Sequence, residues 1–140
     1  MASAYYDINA QQHSTFNFHV EYYDDSGNAI DLTGYTARFH VRPNNDSGKL
    51  YLAVTTSGVT SGGSTGEFTG TGGVAGSGGI SMNTGETGLG FTGGILITAD
   101  ATTMGYVRSG SWKYSIDITK GVTTDELMQG QFVVAPKNTR

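Results

Sequence analysis

The chain has 140 residues, a net charge of −4 and no cysteine. That length suffices for one domain with its own core, and the missing cysteine excludes disulfides and thiolate metal sites. Eight Lys and Arg against twelve Asp and Glu argue against non-specific nucleic-acid binding, which needs cations to neutralise phosphates.

The elements follow from the pattern of apolar residues, taken in chain order. The opening MASAYYDINA has no basic start and no apolar stretch, so no secretory signal is expected, and no later run is long enough to span a bilayer. AYYDI predicts a first strand. In TFNFHVEYY (15–23), Phe16, Phe18, Val20 and Tyr22 share one face, while Asn17, His19 and Glu21 share the other. DDSGN (24–28) is a turn in which Gly27 supplies a positive φ. DLTGYTARFHVRP (31–43) opens with a turn at Asp31–Gly34. It continues as a strand over 35–42 with Tyr35, Ala37, Phe39 and Val41 inward and Arg38, His40 and Arg42 outward. KLYLAV and GILIT are shorter strands. TADATTMGY predicts a turn or two of helix near 99–104, capped by Thr98 and closed by Gly105. WKYSIDIT (112–119) puts Trp112, Tyr114, Ile116 and Ile118 on the core face. TKGV (119–122) is a hairpin turn into GQFVVA (130–135).

Such alternation means strands with one buried and one wet face. The fold class is therefore all-β: an antiparallel, immunoglobulin-like β-sandwich of seven or eight strands with one short helix. A closed barrel is the alternative. Residues 57–94 hold 15 of the 22 glycines. Because Phe68, Ile80, Leu89 and Phe91 recur inside this segment, it reads as an ordered insertion within the single domain, with a mobile loop as the alternative. It is expected to project from one end and pack against a neighbouring subunit.

Little chemistry is visible. His19 and His40 fall on outward strand positions. Asp24, Asp25, Asn28 and Asp31 are spaced somewhat like a Ca²⁺ loop but lack the alternating carboxylates and distant Glu of an EF-hand. Ser14 and Ser115 have no Gly-x-Ser-x-Gly frame, and no Gly-Lys-Ser/Thr follows the glycines. No catalytic residue, metal site or cofactor is assigned.

FHVEYYDDSGNAIDLTGYTARFHVRP, GGILITADATTM, GSWKYSIDI and LMQGQFVVAPKNTR, in that order, resemble a small β-sandwich domain of tailed-phage virion proteins. The similarity is to the N-terminal domain of baseplate upper proteins and tail-fibre adaptors, and it covers residues 5–56 and 94–140. The resemblance implies a non-enzymatic structural protein, made in the host cytoplasm and located in the virion. Its expected partners are other virion proteins and copies of itself in a homo-oligomer, with no nucleic acid or membrane. No receptor-binding module follows the domain, so host-receptor recognition is not expected of this chain. A capsid-surface decoration protein and a carbohydrate- or receptor-binding module are the alternatives. The expected interface residues are Arg38, His40, Arg42, Phe68, Ile80, Leu89, Phe91, Lys137 and Arg140. One terminus, 1–8 or 136–140, is expected to be held by a neighbour.

Overall fold

Alternating side chains give each long strand an apolar side, and two sheets bury those sides against each other. The computed structural model describes residues 4–23, 26–43, 49–62, 68, 73–84 and 90–136, with the backbone alone described at 4, 84 and 90–92. Its strands are β1 (Ala4–Tyr5), β2 (Ile8–Gln11), β3 (Phe16–Glu21), β4 (Thr36–Arg42), β5 (Leu52–Thr55) and β6 (Gly58–Ser61). They continue with β7 (Val74–Gly76), β8 (Gly78–Thr84), β9 (Gly90–Ala99), β10 (Gly110–Lys120) and β11 (Thr123–Ala135). The larger sheet runs β1-β11-β10-β4-β5-β6-β7, with β2 also on β11; the smaller is β3-β9-β8. Pairing is antiparallel except that β1 and β2 run parallel to β11.

The registers set the core. Tyr114 lies opposite Val41, Ile116 opposite Phe39 and Ile118 opposite Ala37. All six are buried. Phe39 is fully enclosed and meets the rings of Phe16 at 6.0 Å, Phe132 at 5.6 Å and Tyr114 at 5.5 Å. Phe16 belongs to the smaller sheet, so this aromatic cluster joins the two layers. Trp112 is half-buried. Its ring stands edge-on to Tyr51 at 4.7 Å, and its indole N–H donates to the Arg108 carbonyl.

Several expectations need correction. The described strands number eleven rather than seven or eight, because the glycine-rich stretch supplies β6, β7, β8 and the start of β9. Its described part is built into both sheets and does not project. At Gly78 (φ 131°) a side chain would collide with the Thr98 carbonyl on the neighbouring strand. Glycine at this position thus serves close backbone approach. The helix α1 (Ala101–Gly105) is capped by Asp100, whose carboxylate accepts from the Thr103 N–H, and not by Thr98. Thr98 stays in β9, paired with Asn17 and Gly79. Phe18 and Val20 share the phase of Phe16 but are half-buried, since β3 is an edge strand. Residues 4–11 are held by β11 of the same chain, not by a neighbour; 137–140 lie outside the described residues. Gly27 does adopt a positive φ of 84°.

The turn at Asp31 is tied down from a distance. Asn83 interrupts β8 at a register shift and adopts φ 56°. Its side-chain oxygen accepts from the Leu32 N–H (2.9 Å) and the Gly93 N–H (3.2 Å). Its amide donates to the Asp31 carboxylate (3.0 Å) and to Thr33 Oγ1 (3.3 Å). One amide thereby holds together the loop before β4, the bulge of β8 and the strand β9. Hydrogen bonds from Thr33 and Asn83 keep the Asp31 carboxyl below its ordinary pKa.

Candidate functional site

With Ala37, Phe39 and Val41 facing the core, β4 must turn Arg38, His40 and Arg42 the other way. The β4–β10 register sets Arg42 beside Lys113, His40 beside Ser115 and Arg38 beside Asp117. A β-bulge between Ile116 and Asp117 then brings Glu126 of β11 opposite Asp117. The result is a polar outer face with a shallow depression of about 190 Å³, lined by His40, Arg42, Lys113, Tyr114, Ser115, Glu126 and Gln129.

The charges on this face are arranged. Arg38 Nε donates to Asp117 Oδ2 at 3.2 Å, with the two side chains 52% and 20% exposed. An exposed pair of this kind adds little stability but fixes side-chain direction. Arg42 Nη2 lies 3.3 Å from His40 Nδ1. A guanidinium can only donate, so that ring nitrogen accepts. Burial first, then Arg42 and Arg38, push the His40 pKa down to about 4, against a smaller opposing pull from Asp117. His40 is therefore neutral near pH 7.

Ser115, His40 and Asp117 are close in the ladder, yet they do not form a nucleophile–base–carboxylate relay. The Asp117 carboxylate is directed to Arg38, and His40 Nδ1 faces Arg42. Among the described residues no three His, Asp or Glu side chains converge as metal ligands. Asp24 and Asp25 lie outside the described residues, and Asp31 is engaged by Thr33 and Asn83.

The remaining expected interface residues separate into two groups. Phe68 is buried with Leu50 and Ala53 and exchanges backbone hydrogen bonds with Leu50. Ile80 is part of the main core. Both are used by the chain's own fold, which corrects their assignment as anchors for a neighbour; an apolar residue on a strand looks the same whichever layer covers it. Leu89, Lys137, Arg140 and the Phe91 side chain lie outside the described residues. The sequence reading missed Lys113, Ser115, Glu126 and Gln129, because register, not pattern, brings them beside β4.

A depressed histidine pKa makes a testable statement about stability. The unfolded chain protonates His40 near 6.5 and the folded chain near 4. Its contribution is complete above pH 6.5, declines as pH falls towards 4, and is constant below that. Discounted for partial exposure, the loss should be about 1–2 kcal/mol. Urea unfolding of the wild type and of His40→Gln across this window checks it: the variant should lose less stability than the wild type on acidification. Equal slopes would exclude His40 as the cause.

The strand order defines the class. A three-stranded sheet packs against one in which the two last strands and β4 are extended by β5 and β6, the arrangement of a variable-type immunoglobulin sandwich. The module presents a polar sheet face and open sheet edges. No protein-family model and no curated protein matches the sequence. Among solved structures, the chain is similar to the extracellular domain of the voltage-gated sodium channel beta4 subunit. The TM-score is 0.38 at 11% identity, over 98% of this chain and 96% of that one. A second structure, from work on the cell-adhesive interactions of such beta subunits, gives 0.38 at 9% identity over 96% and 93%. Likeness at this level establishes neither family nor activity.

Proposed function

We propose that this chain is a non-enzymatic structural protein of a bacteriophage virion, an adaptor that joins subunits in a tail, baseplate or fibre. The sequence resemblance over 5–56 and 94–140 supplies the context. The outer face of β4 and β10 is the observation that carries the reading. There Arg38, His40 and Arg42 stand beside Asp117, Ser115 and Lys113 on paired strands, with both arginines already oriented by neighbours. Arginines held in place lose little freedom on meeting a carboxylate or carbonyl of another subunit, and arginine is enriched at protein interfaces. Copies of the chain and other virion proteins are the partners in this reading.

The test is mass spectrometry and gold labelling of purified particles of the encoding phage. The expected result is the chain at fixed stoichiometry, labelled at the tail. An Arg42→Glu chain should keep its thermal midpoint yet be lost from particles. Label over the head surface would replace the adaptor with the decoration protein. Absence from particles, with saturable binding on a glycan array, would replace both with a sugar-binding module.

A further inference from the structure

One square of the β4–β10 ladder gathers hydrogen-bond donors on the outer face. The register sets His40 opposite Ser115 and Arg42 opposite Lys113, and all of them line the same depression of about 190 Å³. Two cations directly opposite each other on a sheet repel, a cost that a nearby anion offsets. Lys113 is half-buried, and its ammonium makes no ion pair or hydrogen bond with any described residue. The Ser115 side chain is also half-buried, and its hydroxyl has no partner among the described residues.

His40 adds a donor from the opposite strand. Its Nδ1 accepts from Arg42 and the ring is neutral near pH 7, so the proton sits on Nε2. After burial, Arg42 and Arg38 are what lower its pKa, against a smaller pull from Asp117. The potential around the ring is therefore positive. Glu126, the carboxylate that lines the depression, lies at its other end, opposite Asp117. Arg42 and Lys113 against Glu126 leave the lining groups one positive charge in excess. That balance suits a carboxylate monoanion better than a phosphate dianion.

We infer that this square is a carboxylate-binding site, which takes an Asp or Glu side chain from an acidic segment of a neighbouring subunit. Lys113 Nζ and Ser115 Oγ donate from β10, and His40 Nε2 donates from β4. Arg42 keeps its place beside His40 and fixes the tautomer, so the site needs no partner of Arg42 to be displaced. The bound carboxylate satisfies the Lys113 ammonium and relieves its repulsion with Arg42. The inference deepens the adaptor reading and rests on it for the source of the carboxylate. The site itself stands on the ladder geometry.

The probe is acetyl-aspartate amide, a single carboxylate on a peptide frame, titrated into the isolated chain at pH 7 and low salt. It should move the amide resonances of His40, Lys113 and Ser115 saturably, with a Kd of about 1–10 mM. Acetyl-asparagine amide, of the same shape without the charge, should not. Lys113→Gln should weaken binding at least about fivefold, while Lys113→Arg should keep most of it. Lys120→Gln removes an ammonium that lies over the Tyr35 ring, outside the depression, and should bind as the wild type does. No saturable shift overturns the inference, as does an equal response to the asparagine amide or undiminished binding by Lys113→Gln. Tighter binding of inorganic phosphate overturns the carboxylate class. None of these failures touches the virion reading, which is judged on purified particles. Conversely, absence of the chain from particles leaves a carboxylate site measured on the isolated chain in place and removes only the proposed source.

Discussion

Phe39→Ala is expected to cost about 3–5 kcal/mol, the range for emptying a large aromatic site. Phe39 has no exposed surface and touches three other rings, from β3, β10 and β11. Rings on opposite sheets cannot both move in to fill the space without shifting a strand, so the cavity should persist. Against a typical total of about 5–15 kcal/mol, such a loss leaves the chain marginal. Urea unfolding checks it, with Val122→Ala as the control. Val122 is fully exposed, and its replacement should change stability by less than about 0.5 kcal/mol. A Phe39→Ala loss below about 1 kcal/mol would remove Phe39 from the centre of the core.

Asn83→Leu should cost about as much, for a different reason. The substitution leaves the Leu32 and Gly93 N–H groups without their acceptor, at about 1–3 kcal/mol for each one kept from water. It also forces a branched side chain to φ 56°, adding about 1–2 kcal/mol. Asn83→Gly separates the two effects, because glycine accepts that backbone and loses the hydrogen bonds alone. Thermal unfolding should therefore rank wild type above Asn83→Gly above Asn83→Leu. Asn83→Asp adds a pH signature. It sets a second carboxylate against Asp31, so its defect should shrink as acidification protonates one of the pair. The wild type should do the reverse: the Asp31 pKa is lowered from 3.8, so its contribution is present above that value and lost as pH falls below it. Equal stabilities for the wild type and Asn83→Gly would show that the amide holds nothing together.

Much of the fold is legible in the alternation. TARFHVR and WKYSIDIT each declare an inward and an outward side, and the structure places Phe39, Val41, Tyr114 and Ile116 inside as expected. Arg38 is on the outer face for the same reason. The candidate site was legible only as far as β4. Its other half comes from β10 and β11, some seventy to ninety residues later, through a register and a bulge that no local pattern encodes. The glycine-rich stretch misled in the opposite direction. Its composition suggests a projection, yet β8 and β9 form most of the smaller sheet, with Ile80, Ile95 and Ile97 in the core.

The sequence by itself determined where the long alternating strands lie, which side of each is apolar, and that one core suffices. The physical reason is that side-chain direction in a strand alternates strictly, so it is a property of neighbours along the chain. Only the tertiary structure decided which strands are neighbours. It docked the N-terminal strands parallel to β11, reached across 52 residues to tie Asn83 to Asp31, and buried Phe68 against Leu50. It also left β3 at an edge, where Phe18 and Val20 are half-covered. Those outcomes depend on hydrogen-bond partners and covering layers distant in sequence, and period-two patterning is the same whether a strand lies at the centre of a sheet or at its edge.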